Sequence, residues 1–170
     1  MRFGILTISD RSSRGERPDL SGPALEHVVE TNGNQVIKTG IVPDDIELIR
    51  KTIIEWIENE EIDILLTTGG TGFAPRDVTP EATRLVVERL TPGLDEAMRA
   101  SSMQITKHAM LSRAVSGIRK QTIIINLPGN PKAAVENFLI ISAVLAHASS
   151  LLHEDSNSEQ GHKYTREQNP

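Results

Sequence analysis

The chain has 170 residues, a formal charge of −5 and a pI near 5.5, with 38% hydrophobic and 24% charged residues. That is the balance of a globular domain with a real core, not of a disordered segment. Three Phe, one Trp, one Tyr and no Cys leave no basic, aromatic-rich surface for nucleic acid, and exclude disulfides, thiolate metal sites and thiol nucleophiles.

The elements alternate in type along the chain. Phe3 to Ser9 is a short apolar strand, and the polar stretch Asp10 to Leu20 reads as a long loop. Ser21-Gly22-Pro23 starts a helix with Ser21 as N-cap, and Asn32-Gly33 stops it. Gln35 to Val42 is the next strand. A helix from Pro43-Asp44 to about Asn59 follows, with Ile46, Ile49, Ile53 and Ile57 at helical spacing. Ile62 to Leu66 is a buried strand that stops at Thr67-Thr68 and enters Gly69-Gly70-Thr71-Gly72. Thr79-Pro80 and Thr91-Pro92 each predict a cap followed by a first-turn proline. Ala114–Ile118 and Thr122–Leu127 read as an antiparallel hairpin around Arg119-Lys120-Gln121. Asn130-Pro131 caps a last helix to about Leu152. The domain is expected over 1–153, and the polar residues 154–170 read as a disordered tail. The first residues lack a signal h-region, and no uninterrupted run approaches the ~18 apolar residues of a membrane span. A cytoplasmic location and no membrane partner are expected.

Such alternation predicts a three-layer α/β/α fold: a mostly parallel sheet, helices on both faces, and an antiparallel hairpin near 114–127. Ligands of open parallel sheets lie beyond the carboxyl ends of the strands. The loops starting there carry Asp10, Asp44, the glycine loop with Arg76 and Asp77, and Pro128-Gly129-Asn130. Three glycines in four residues let backbone N–H groups approach an anion. Arg76 suits phosphate and Asp77 suits Mg²⁺. The bland alternatives are specific. The glycines could form a plain tight turn, Asp44 could cap the helix with Glu47 in a capping box, and Asp77 could be an Asx-turn residue. Ser112-Arg113 could be a surface connection. The glycine loop is neither a Walker A loop nor G-x-G-x-x-G. The scattered His provide no zinc pair, and a Gly-x-Ser-x-Gly elbow is absent.

Thr67-Thr68-Gly69-Gly70-Thr71-Gly72, followed by Arg76-Asp77-Val78-Thr79-Pro80-Glu81-Ala82, resembles the molybdopterin-binding family of molybdenum-cofactor biosynthesis. Ser9-Asp10, Val42-Pro43-Asp44, Leu111-Ser112-Arg113 and Leu127-Pro128-Gly129 fit at matching distances, so the likeness covers about residues 2–152. Within the family the chain is most similar to the molybdopterin adenylyltransferases. The resemblance implies adenylyl transfer from Mg-ATP to molybdopterin, usually by a homotrimer, with the pathway's molybdenum-insertion protein as a further partner. It places the two essential aspartates on Asp44 and Asp77, with Mg²⁺ between them. It places substrate and nucleotide contacts on Ser9, Asp10, Thr68 to Gly72, Arg76, Ser112, Asn126, Pro128 and Gly129. The rival it leaves open is a non-catalytic, MoaB-like pterin-binding trimer or scaffold module.

Overall fold

The computed structural model describes residues 1–153; the tail expected at 154–170 lies outside the described residues. Strands β1 (Arg2–Ile8), β2 (Gln35–Val42), β3 (Ile64–Thr68), β4 (Arg89–Leu90), β5 (Ser116–Arg119) and β6 (Thr122–Leu127) form one sheet in the order β2-β1-β3-β6-β5-β4. The first four in that order are parallel, and β5 and β4 are antiparallel additions at one edge. The register aligns Thr7 with Thr68 and Thr68 with Leu127, while Ile8 pairs with Val42. Four loops therefore leave the sheet at one level.

Helices cover both faces because the central strands are apolar on both. Phe3 and Ile5 of β1, Ile64 and Leu66 of β3, and Ile123 and Ile125 of β6 point one way, where they meet Leu25, Met98 and Phe138. These last come from α2 (Ser21–Thr31), α5 (Pro92–Met103) and α6 (Pro131–Leu152). Phe3 and Phe138 meet edge to face, with centroids 6.0 Å apart, an arrangement that suits the ring quadrupoles. Leu6, Ile8, Leu65 and Ile124 point the other way, onto α3 (Ile46–Asn59) and α4 (Thr79–Arg84). Helix α6 is long and apolar enough to cross a membrane by length and composition. Its inner side packs into the core through Phe138, Ile141 and Leu145, as the core helix of an α/β domain does.

Several local expectations are corrected. The stretch 10–20 is not all loop, since Asp10–Ser13 forms the one-turn helix α1. Ser21 is not the cap of α2. Asp19 Oδ1 accepts from the N–H groups of Ser21 (3.0 Å) and Gly22 (3.2 Å), because a carboxylate two residues back reaches the orphan donors better than a hydroxyl within the helix. Strand β3 begins at Ile64 and includes Thr67 and Thr68. Both threonines are fully buried, so side chains read as loop-forming belong to the ladder. Strand β5 starts at Ser116, two residues later than expected. Thr79 and Thr91 make no capping bond with their side chains. A two-residue strand, Arg89–Leu90, and a 3-10 helix, Lys107–Leu111, carried no clear sequence signal.

Candidate active site

Asp44 decides between two readings of its sequence. Helix α3 is capped by Asp45, whose Oδ1 accepts from Leu48 N–H at 2.8 Å. The capping-box reading of Asp44 is therefore wrong, and the helix starts at Ile46 rather than at Pro43-Asp44. Freed from the helix end, Asp44 pairs with Asp10 in a reciprocal bridge. Asp10 N–H donates to Asp44 Oδ2 (2.8 Å), and Asp44 N–H donates to Asp10 Oδ1 (3.1 Å). The other oxygen of Asp44 faces the glycine loop, 2.9 Å from where a Cβ on Gly70 would stand. Burial raises the Asp44 carboxyl above the ordinary range; Asp10 N–H opposes this, while the charges of Asp10 and Asp77 add to it. Asp77 is thus close enough to be felt electrostatically.

Asp77 is a turn residue as well as a carboxylate at the loop. Its Oδ2 accepts from Ala74 N–H at 2.9 Å, and its own N–H donates to Ala74 O at 2.9 Å. Arg76 turns back across the mouth and donates to both oxygens of Asp10, at 2.9 Å from Nε and 2.8 Å from Nη2. That fork holds the Asp10 carboxyl below its usual range. A guanidinium has five N–H donors, so Arg76 keeps a free edge for an anion while Asp10 fixes its other edge.

The glycine loop is the floor. Gly69 (φ 104°) and Gly70 (φ 62°) adopt conformations that L side chains avoid. A Cβ on Gly69 would lie 2.2 Å from the Ile8 carbonyl oxygen, and one on Gly129 would lie 3.1 Å from Gly69 Cα. Bare backbone is what lets the ends of β1, β3 and β6 approach each other. Thr68 Oγ1 ties this loop to the next by donating to Pro128 O (2.8 Å), and Thr79 Oγ1 donates to Gly69 O (2.8 Å). Ser9 is spent locally, its Oγ capping α1 through Ser12 N–H at 3.2 Å.

On the other side of the loop lies a cavity of about 270 Å³, whose lining includes Thr71, Gly72, Asp95, Ser112, Asn126 and Pro128. Ser112 thus reaches the site from a segment distant in sequence, between the 3-10 helix and β5. Asn126 lines the cavity but is not a free polar contact. Its amide donates to Thr67 Oγ1 (2.8 Å) and Thr83 Oγ1 (2.9 Å), and its oxygen accepts from Val115 N–H (3.2 Å). A fully buried amide must spend its donors internally, so its position is that of a brace. Asp95 went unnoticed in the sequence. It is buried and accepts from Ser116 N–H (2.9 Å) and Oγ (2.6 Å), and burial still pushes its carboxyl up. No cluster of three or more His, Cys, Asp or Glu able to hold a metal occurs among the described residues.

The arrangement matches a known group of proteins. A probable molybdopterin binding domain is recognised over residues 4–147. The chain belongs to that family. It is 47% identical over 154 residues to the molybdenum cofactor synthesis protein cinnamon of Drosophila melanogaster, covering 90% of this chain and 26% of that protein. It is 42% identical over 138 residues to a molybdopterin adenylyltransferase of Helicobacter pylori, covering 80% of this chain and 78% of that enzyme. The structure of the molybdopterin biosynthesis enzyme MoaB from Thermus thermophilus superposes with a TM-score of 0.85 at 45% identity, covering 91% of this chain and 97% of the other. The chain spans about a quarter of cinnamon's length and most of the bacterial proteins' length. In this family's terms, the α/β sheet and its glycine loop were legible from sequence, whereas the Asp10–Asp44 bridge was not.

Proposed function

We propose that this chain transfers the adenylyl group of ATP to the phosphate of molybdopterin, releasing pyrophosphate. The observation that carries the reading is the Asp44 carboxylate, relieved of helix capping by Asp45 and turned toward the glycine loop with Asp77 in electrostatic reach. Two carboxylates beside a phosphate loop repel an anionic ligand unless a divalent cation compensates them. Mg²⁺ fits this donor set, since it is held by one or two carboxylates plus substrate phosphates rather than by a full protein cage. Asp44 and Asp77 would hold it, and when bound it would offset charge growing on the α-phosphate and the leaving pyrophosphate.

The chain's own groups do the placing. N–H groups from Gly70 to Gly72 donate to phosphate oxygens, Gly69 N–H being engaged by Leu127 O at 3.1 Å, and Arg76 offers the edge that Asp10 leaves free. The cavity beside Ser112 takes the pterin. A phosphate oxygen of molybdopterin forms a bond to the α-phosphorus as the bond to the bridging oxygen breaks, and the electron pair leaves with pyrophosphate. The nucleophile is already ionised, so no general base is needed, and catalysis rests on orientation and electrostatics. The same reading includes a homotrimer in the cytoplasm that hands its product to a molybdenum-insertion partner. Ile140, Val144 and Leu151, exposed along one side of α6, offer an apolar stripe for subunit contact.

Incubation with molybdopterin, ATP and Mg²⁺ tests the proposal by the appearance of adenylylated pterin and pyrophosphate in equal amounts. Binding of molybdopterin without either product would replace it with the second reading, a MoaB-like binding module, which the 45% identity to the Thermus thermophilus protein keeps in view.

A further inference from the structure

Arg113 lies between the 3-10 helix and β5, next to the serine that lines the cavity. Its backbone N–H donates to Thr71 O at 2.9 Å. Its Nε donates to Gly72 O at 2.7 Å, its Nη2 donates to Asp77 O, and its Nη1 pairs with the Glu81 carboxylate. One side chain thus grips the exit of the glycine loop, the turn that carries Asp77, and the first turn of α4. Glu81 Oε2 is shielded from solvent and has no hydrogen-bond partner. Arg113 is the cation paired with this carboxylate.

We infer that Arg113 is a positioning residue that holds the Asp77 turn against the glycine loop and couples that turn to the Ser112 wall of the cavity. This rests on the adenylyl-transfer reading for its consequence in catalysis, but not for its consequence in structure. Three acceptors from three segments converge on one planar fork, which a lysine cannot reproduce because its ammonium is a point charge on a flexible stem. Without the fork, the segment from Thr71 to Asp77 keeps only the backbone bond to Thr71 O as its attachment to the segment entering β5, and its internal turn through Ala74 opens more often. The Asp77 carboxylate then samples positions off the glycine loop. Remote misplacement of a reacting arrangement by ~1 Å costs on the order of 10²-fold in rate.

The test uses the full chain as wild type, Arg113→Lys and Glu81→Gln. Amide hydrogen exchange is followed at Gly72 to Asp77, and adenylyl transfer is measured across a Mg²⁺ titration with molybdopterin and ATP. For Arg113→Lys, exchange at Ala74 and Asp77 is expected to accelerate about tenfold or more. We expect kcat to fall by about 10- to 100-fold and the Mg²⁺ needed for half-maximal rate to rise. KM for molybdopterin should change less than about threefold, since the cavity wall keeps its side chains. Glu81→Gln, which leaves the bonds to Gly72 and Asp77 intact, should show little of either effect. A merely structural arginine would lower thermal stability without moving the Mg²⁺ requirement. Unchanged exchange in Arg113→Lys, or an unchanged Mg²⁺ requirement with full kcat, overturns the inference. An inert wild type would instead end the functional reading, while the exchange rates still decide the clamp.

Discussion

Gly72→Ala separates the loop's chemistry from its folding. A Cβ at this position would stand 2.9 Å from Asp77 Oδ2 and 3.9 Å from its Cγ, with nothing else within 4 Å. Ordinary contact begins near 3.4 Å, so the carboxylate must retreat by about half an ångström. If ~1 Å of misplacement costs on the order of 10²-fold, half of that predicts about a tenfold loss of kcat. The fold should hardly notice. Gly72 is not in a left-handed conformation, and replacing such a glycine removes freedom from the unfolded chain, a gain of ~0.4–1 kcal/mol. The melting temperature should therefore move by no more than about 4 °C. Gly69→Ala is the contrast, because its φ of 104° and a 2.2 Å approach to the Ile8 carbonyl leave no side chain to yield. Left-handed strain of ~1–2 kcal/mol and overpacking of ~1–3 kcal/mol together cost roughly 2–5 kcal/mol, a fall of about 4–20 °C. Pyrophosphate release at saturating substrates, alongside thermal unfolding of both variants, measures the two effects. Full activity in Gly72→Ala, or equal stability of the two variants, would refute the reasoning.

Other substitutions probe the remaining groups. Asp77→Asn keeps an acceptor for Ala74 N–H but removes the charge, so transfer should fall by on the order of 10²-fold or more with the melting temperature nearly unchanged; a loss below fivefold argues against a charge role. Asp44 has a carboxyl whose folded value is raised, so its contribution to stability is complete below the unfolded value near ~3.9 and is lost as pH rises through the folded value. Asp44→Asn should therefore melt higher than wild type at neutral pH, with the difference shrinking on acidification, and thermal unfolding across that range would expose the opposite trend. Asn126→Leu strands the Val115 N–H and deprives two threonine hydroxyls of a donor. Stability should drop by roughly 2–4 kcal/mol, read as a lower denaturation midpoint, while activity per folded molecule stays within about threefold of wild type.

The mostly parallel sheet, the covering helices and the common edge of the loops followed from alternation and apolar runs, because those signals are set by burial over many residues. Single-residue roles did not follow so easily. Asp44-Asp45 offers two adjacent carboxylates with the same local chemistry, and only the direction of the chain entering α3 decides which one caps. Thr67 and Thr68 read as the end of a strand because hydroxyls suggest a turn, yet in the buried sheet each finds a partner for its oxygen. Arg113 and Asp95 act through partners distant in sequence, among them Gly72, Asp77 and Ser116. One chain read linearly contains no trace of such meetings.

The reversal at Lys120, with its φ of 51°, joins β5 to β6 at the end of the sheet opposite the glycine loop. Since β5 runs against its neighbour, its beginning rather than its end arrives at the ligand edge. The hairpin turn therefore lies apart from every loop gathered at that edge. The molecule is thus separable in an unexpected place: opening the backbone between Arg119 and Thr122, and starting the chain there in a circular permutant, cuts across none of the loops that gather the carboxylates and the bare glycine backbone.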